Sequence, residues 1–446
     1  MEKLGRQVLL IRGSLFLLQV ITSYLIPPYD TSASEAYSSS SSNLLLDSLP
    51  SLGHGNWDSV YLNYLAKHGY DYESFGAFFP LYPSLLGALA SLLYLPLQLL
   101  MSYDTCIVLT SLLLNNTLFY CNTFLVHKLA KLYGLTETQA YQAALLYALN
   151  PASIFMSVGY TESLFSFFVL LGLIIREADS QWYFILFCMA TGVRSNGLSL
   201  VFFILYDHVA CMVKANQVLV VNTIVMVVQV GTVVSPFFFF QNHLYDMYCN
   251  DADNSKLCTL ICVFIWTEKC YTIYDLSKRY LNPLNHYLPN ATHSNSVFSV
   301  SDWCDIGISY GYIQTNYWGV GFFKYWTLQQ LPNFLLAAPM FALVAVILLS
   351  WAEEQYDNLS ELHTNYLFHI FNFNLAGYLH LAALTVLALV GMHVQVVTRF
   401  LVANCPFLFL YCAKLKRPAV SRAVLCYFVV YSVVGTVVHS TFFPWT

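Results

Sequence analysis

The chain has 446 residues, of which 58% are hydrophobic, 17% aromatic and 10% charged. That lies far outside the roughly 45–50% apolar, 25% charged balance of soluble domains and excludes a soluble enzyme. The net charge of -5 is spread thinly, with no basic block to follow a phosphate backbone and release its counterions, so the expected partners are lipidic or lumenal and not nucleic acid.

Apolar windows of roughly 20 residues recur from end to end, each long enough to cross a hydrocarbon core of about 30 Å as a helix. They predict an all-α polytopic membrane protein, one integral membrane domain over 1–446. The predicted spans are 7–27, 81–100, 105–126, 138–157, 161–176, 182–206, 218–240, 328–350, 366–391, 395–413 and 419–441. The first follows Lys3 and Arg6 and lacks a small-residue cleavage site, which reads as a retained signal anchor with a cytosolic N-terminus. From that start, eleven crossings place the polar stretches 28–80 and 241–327 on the same lumenal side and keep KLKR (414–417) in the cytosol, as the positive-inside rule prefers. One feature fits badly: HKLAK (127–131) comes out lumenal and NPASIFMSVGYTES (150–163) cytosolic, which points to a crossing missing upstream and another hidden near the RSNG break at 194–197.

Within the first polar stretch, TSASEAYSSSSSN (31–43) has no means of building a core and reads as a spacer. SVYLNYLAKHGY (59–70) suits a short helix lying in the membrane interface. Just before it, Asp58 is the sharpest catalytic candidate. An acid beside an aromatic, on a loop pinned between two spans, can take the proton of an incoming hydroxyl while its charge favours an oxocarbenium-like sugar centre. Asp is equally a good helix N-cap, and the residues alone leave the two readings level. Trp57 can stack on a sugar face, although anchoring the interface is the commoner use of Trp. AFFPLYP (77–83) reads as an aromatic belt with prolines in the first turn of a helix, shaping the rim of a groove.

Farther along, Glu162 is ionisable within an apolar run, on a side that depends on the disputed count. Arg194 and Arg399 are intramembrane charges, which cost about 2.5–3.5 kcal/mol or more in lipid, so each needs a partner or a function. A guanidinium can grip a departing lipid phosphate with two donors. For Arg399 the bland alternative is snorkelling to a head group. Gln395 lies four residues before Arg399 and is expected on the same helix face, at the lumenal end of its span. His393 can line the same site, although a lone His is more often structural. In NYWGVGFFKYWTLQQLPNFLLAAP (316–339), Lys324 can reach a phosphate and Gln330 can order sugar hydroxyls, yet a cation in an aromatic rim is also the usual look of an anchored helix start. Cys249, Cys258, Cys262, Cys270 and Cys304 share the second polar stretch without a CxxC pair, which argues against zinc and leaves room for one or two lumenal disulfides. The Asn290-Ala291-Thr292 sequon suits the same side, whereas Asn358-Leu359-Ser360 falls in the cytosol.

The blocks NWDSVYLNYLAKHGYDYESFGAFFPLYP, NPASIFMSVGYTESLFSF, RSNG, YWGVGFFKYWTLQQLPNFLLAAP, MHVQVVTRFL and the terminal FFPWT, in this order, closely resemble the GPI mannosyltransferase II (PIG-V) family of GT-C glycosyltransferases. The resemblance implies a GT-C membrane fold in the endoplasmic reticulum. It also implies an enzyme that takes mannose from dolichyl-phosphate mannose and adds it, α-1,6-linked and with inversion, as the second mannose of a GPI precursor. The essential Trp-Asp pair of the family falls on Trp57 and Asp58. No cofactor, nucleotide sugar or metal is implied, and some members work with a small membrane accessory subunit. The serine run at 34–42 and the acidic CNDADNSKLC (249–258) depart from the pattern and leave accessory contacts open. A transporter is the first rival and would show inverted repeats, which are not evident here. The second rival, a non-catalytic scaffold subunit, would need no acid of its own beside a lumenal loop.

Overall fold

The computed structural model describes residues 1–29, 55–215, 220–249, 302–305, 307–361 and 373–443. The serine-rich insert, the Asn290 sequon, Cys258, Cys262, Cys270 and the terminal residues 444–446 lie outside these, as do the side chains of Asn358-Leu359-Ser360. Among the described residues the regular elements are all helical. The α-helices are α1 (Glu2–Leu25), α2 (Asp58–His68), α3 (Leu81–Leu97), α4 (Tyr103–Leu132), α5 (Glu137–Ala148), α6 (Glu162–Glu177), α7 (Tyr183–Val193), α8 (Val201–Ala215), α9 (Val220–Tyr248), α10 (Tyr310–Asn316), α11 (Leu331–Glu361), α12 (Phe373–Gly391), α13 (Val397–Asn404), α14 (Phe407–Lys414) and α15 (Pro418–Ser440).

Local chemistry explains several boundaries. Ser102 caps α4 by accepting from the Thr105 amide, and Thr136 with Gln139 forms a capping box on α5. Pro418 opens α15, where its missing N–H does no harm. Five helices are long and apolar enough to cross a bilayer, near the chain positions Glu2–Leu25, Ser195–Val213, Val220–Tyr248, Leu328–Tyr356 and Pro418–Ser440. The pair Val394–Asn404 and Phe407–Lys414, bent by 87° at Cys405-Pro406, makes a sixth if taken as one span. The chain is therefore a multi-pass membrane protein, and five or six of the described helical segments meet that length and composition, against the eleven crossings expected from the sequence.

Three of the predicted spans turn back on themselves, and hydrogen bonds show how. Tyr133, just after α4, donates to Glu177 at the end of α6 across 2.7 Å, so the chain between them begins and ends at one place. Tyr183 at the start of α7 donates to Asp207 on α8 at 3.0 Å. A straight helix between those two residues would hold them roughly 36 Å apart. Residues 138–157, 161–176 and 182–206 thus form two helical hairpins, with tips at 149–161 and 194–200. Arg176 closes the base of both, bonded to Glu177 at 2.9 Å and to Asp207 through two of its nitrogens.

α3 also departs from a crossing. It runs antiparallel to the first half of α4, with Tyr82 beside Asn115, Ala90 beside Cys106 and Tyr94 against Tyr103. Removing that crossing reverses the side assigned to the segments after it. His127 and Lys131 bond Glu137 at 3.0 and 3.4 Å, and α5 meets the start of α1 through Tyr141, Gln7 and Lys3. HKLAK therefore sits at the end that holds the N-terminus, where the positive-inside rule wants it, and residues 150–161 reach toward Asp58 instead.

The hairpin tips are irregular backbone inside an apolar body, so their carbonyls need internal donors. Asn115 on α4 donates to the carbonyls of Val158 and Tyr160, and Asn116 to that of Ser157. Arg12, in the middle of α1, donates to the Ser153 carbonyl at 3.1 Å and to Asn116 Oδ1 at 3.2 Å, with its guanidinium 4.2 Å over the Phe119 ring.

At the opposite end, the two polar stretches are joined. Glu73 accepts from Trp303 and, at 2.5 Å, from Tyr317; Trp318 donates to the Ser74 carbonyl at 3.0 Å; and Cys249 and Cys304 form a disulfide. α2 lies under this roof, pressed on α3 where a Cβ on Gly87 would stand 2.5 Å from the Ala66 carbonyl oxygen. Gly87→Val is therefore expected to push α2 off α3 and lower activity at least tenfold, although Gly87 touches no candidate residue. Gly13→Ala, which meets nothing within 4 Å, is expected to be silent in the same assay.

Candidate active site

Asp58 is the first residue of α2, and Trp57 precedes it with φ 56° and ψ −128°. For a bulky side chain that is an outlying backbone conformation, of the kind that costs about 1–3 kcal/mol and persists only when its surroundings enforce it. Enforcement comes from both flanks. Asn56 donates to the carbonyls of His439 and Ser440 at 3.0 and 3.1 Å, tying the turn to the end of α15. On the other side the Asp58 amide donates to Tyr160 Oη at 3.2 Å. Trp57 packs on Phe442 with ring centroids 6.0 Å apart, and its indole Nε1 is buried without a hydrogen-bond partner.

The Asp58 carboxylate receives Arg399, with Nη1 2.6 Å from Oδ2. These residues are 341 positions apart, and the bend at Cys405-Pro406 lets α13 present Arg399 while α14 packs elsewhere. The guanidinium stands 5.2 Å from the Phe155 ring and 5.6 Å from the Tyr160 ring, so the first hairpin tip forms its floor. Arg399 Nε is buried and unbonded, leaving a donor unused by the protein. Beside this pair lies a second one. Arg194, at the second tip, donates to Thr161 at 2.9 Å and to the fully buried Glu162, whose Oε2 has no partner. Ser195 then bonds Tyr310 at 2.6 Å, connecting that tip to the roof.

The structure thus brings together Trp57, Asp58, Arg399, Glu162 and Arg194. The remaining candidates gather around Tyr325. Tyr325 donates to Gln395 at 2.7 Å and accepts from Asn333 at 2.7 Å, and Asn333 also donates to Gln330. His393 stacks on Tyr325 with centroids 4.5 Å apart, and burial pushes its imidazole below the ordinary value. Lys324 is tethered to the Thr315 carbonyl at 2.8 Å. Gln395 lies in the 3-10 turn Val394–Val396 that leads into α13 and bonds Tyr325, while Arg399 bonds Asp58, so the two residues engage different partners.

Tyr160, Phe155, Asn56 and Arg12 are not evident as site residues in the sequence. The available signal is polar: an arginine and an Asn115-Asn116 pair inside apolar helices, each needing a partner. Among the described residues no group of three or more His, Cys, Asp or Glu is placed to hold a metal ion.

The family model "Mannosyltransferase (PIG-V)" matches residues 2–446. The chain belongs to this mannosyltransferase family. It is 29% identical over 502 residues to GPI alpha-1,6-mannosyltransferase 2 of Cricetulus griseus, covering 96% of this chain and 95% of the relative. It is 28% identical to the protein of the same name from Homo sapiens, covering 88% of each. GPI mannosyltransferase 2 of Drosophila pseudoobscura pseudoobscura is 27% identical and aligns over 100% of both chains. No solved structure matches significantly.

Proposed function

We propose that the chain adds the second, α-1,6-linked mannose to a GPI precursor, using dolichyl-phosphate mannose as donor, at the lumenal face of the endoplasmic reticulum. The observation that carries this reading is the Asp58–Arg399 pair: one general base and one phosphate-binding cation, 2.6 Å apart, beside the strained Trp57. Both substrates are lipid-linked, so their heads must meet near the water-lipid boundary with their tails in hydrocarbon. In an inverting transfer of GT-C type, Asp58 takes the proton of the acceptor hydroxyl as it attacks the anomeric carbon from the face opposite the phosphate. Arg399 steadies the leaving phosphate, with Arg194 in support and the Tyr325 rim ordering sugar hydroxyls.

Lumenal sidedness is supported by the Cys249–Cys304 disulfide, because such bonds persist in oxidising compartments. In sealed microsomes, a membrane-impermeant maleimide is expected to leave both cysteines unlabelled, and to label them only after reduction and detergent opening. Labelling of intact vesicles after reduction alone would place this end in the cytosol and remove the donor geometry. The function itself is tested by expressing Asp58→Ala and Asp58→Asn in cells lacking the second GPI mannosyltransferase. Surface display of GPI-anchored protein should stay absent, with normal accumulation of each variant; restored display would take Asp58 out of the chemistry.

A further inference from the structure

We propose that Arg399 is a shared cation that passes from Asp58 to the donor phosphate during each turnover, so that arrival of the donor unmasks the base. This rests on the mannosyl-transfer reading above. Three observations carry it. Arg399 Nη1 holds Asp58 Oδ2 at 2.6 Å, with side-chain exposures of 16% and 28%, so the contact is shielded but not sealed. Arg399 Nε has no hydrogen-bond partner, so the guanidinium keeps a donor to spare when it turns from the carboxylate to an oxyanion. The rings of Phe155 and Tyr160 lie 5.2 and 5.6 Å from the guanidinium, supporting the cation whichever anion it faces.

The charge changes of the reaction run in step with such a transfer. At the outset Asp58 is an anion and the donor phosphodiester carries a single negative charge, so both compete for one guanidinium. As the new bond from the acceptor oxygen to the anomeric carbon forms, the hydroxyl proton moves to Asp58, which becomes neutral. The bond from the anomeric carbon to the phosphate oxygen breaks at the same time, and its electron pair leaves with the phosphate, which becomes a dianion. The attraction of Arg399 thus falls on one side and rises on the other as the transition state develops, which is the differential binding that accelerates a reaction. Before the donor arrives the same pair keeps the carboxylate occupied, so the acceptor hydroxyl meets a free carboxylate only once a lipid phosphate has taken the arginine.

Binding of citronellyl phosphate, a short polyprenyl phosphate, to the purified full-length protein tests this directly. Asp58→Asn is expected to tighten binding roughly tenfold, because close charge pairs couple strongly and the arginine is no longer claimed by a carboxylate. Arg399→Gln is expected to weaken binding to the same low level whether residue 58 is Asp or Asn. Arg399→Lys, which keeps the charge, should fold normally and still respond to Asp58→Asn. Binding of the uncharged alcohol citronellol should not respond at all. The proposal is overturned if Asp58→Asn leaves phosphate affinity unchanged, or if it tightens binding equally in the Arg399→Gln background, where only a general field effect remains. Were Asp58 not the base, Asp58→Asn would keep transfer activity and still tighten phosphate binding; a wrong handover instead gives lost transfer with no tightening.

Discussion

Asp58→Asn is expected to lower mannose transfer by roughly 10²- to 10⁴-fold, the range that a positioned general base contributes. The substitution keeps the shape of the side chain, and the backbone bond from residue 58 to Tyr160 Oη is untouched because it uses the amide. What disappears is the proton acceptor. Asp58→Glu adds one methylene and displaces the carboxylate within a turn fixed on both flanks by Asn56 and Tyr160, so it too should fall by at least tenfold. Transfer is measured in microsomes from deficient cells supplied with labelled donor, normalised to protein level. Retention of more than about a tenth of the activity by Asp58→Asn, at normal abundance, would end the role assigned to it.

The strongly apolar helices are legible in the sequence, because about 20 apolar residues define a span with little ambiguity: 7–27, 218–240, 328–350 and 419–441 lie within α1, α9, α11 and α15 or across their ends. So is the short helix after Asp58, predicted over 59–70 and formed over 58–68. The two hairpins are not. A hydropathy window registers apolarity and not direction, so two short helices joined by a buried tip look like ordinary spans. The correction is present in polar residues that apolar helices would not carry without cause. Asn115, Asn116 and Arg12 serve the carbonyls of the first tip, and Arg176 with Glu177 and Asp207 closes the bases. Likewise Asp58 and Arg399 are each visible as single charges needing an explanation, but their pairing depends on how α13 and α2 meet in space. Periodicity along one helix cannot express that.

Glu162→Leu is expected to be the most damaging substitution for folding in this region. Glu162 is fully buried and its carboxylate receives Arg194, while Thr161 takes a second guanidinium bond at 2.9 Å. Removing only the acid leaves a buried cation with a single neutral acceptor, and breaking such a pair from one side costs about 3–5 kcal/mol. Since whole proteins are stable by only about 5–15 kcal/mol, the variant should accumulate poorly and melt several degrees lower. The double variant Glu162→Leu with Arg194→Met removes both charges, and apolar replacement of a complete buried pair is often neutral or stabilising, so accumulation should return toward normal. Its activity then separates the two things Arg194 can do. If Arg194 supports the departing phosphate, transfer by the restored double variant should remain at least tenfold below the parent. If Arg194 serves only to hold the 194–200 tip against Thr161 and Glu162, activity should return with abundance, and the phosphate would be left to Arg399 alone.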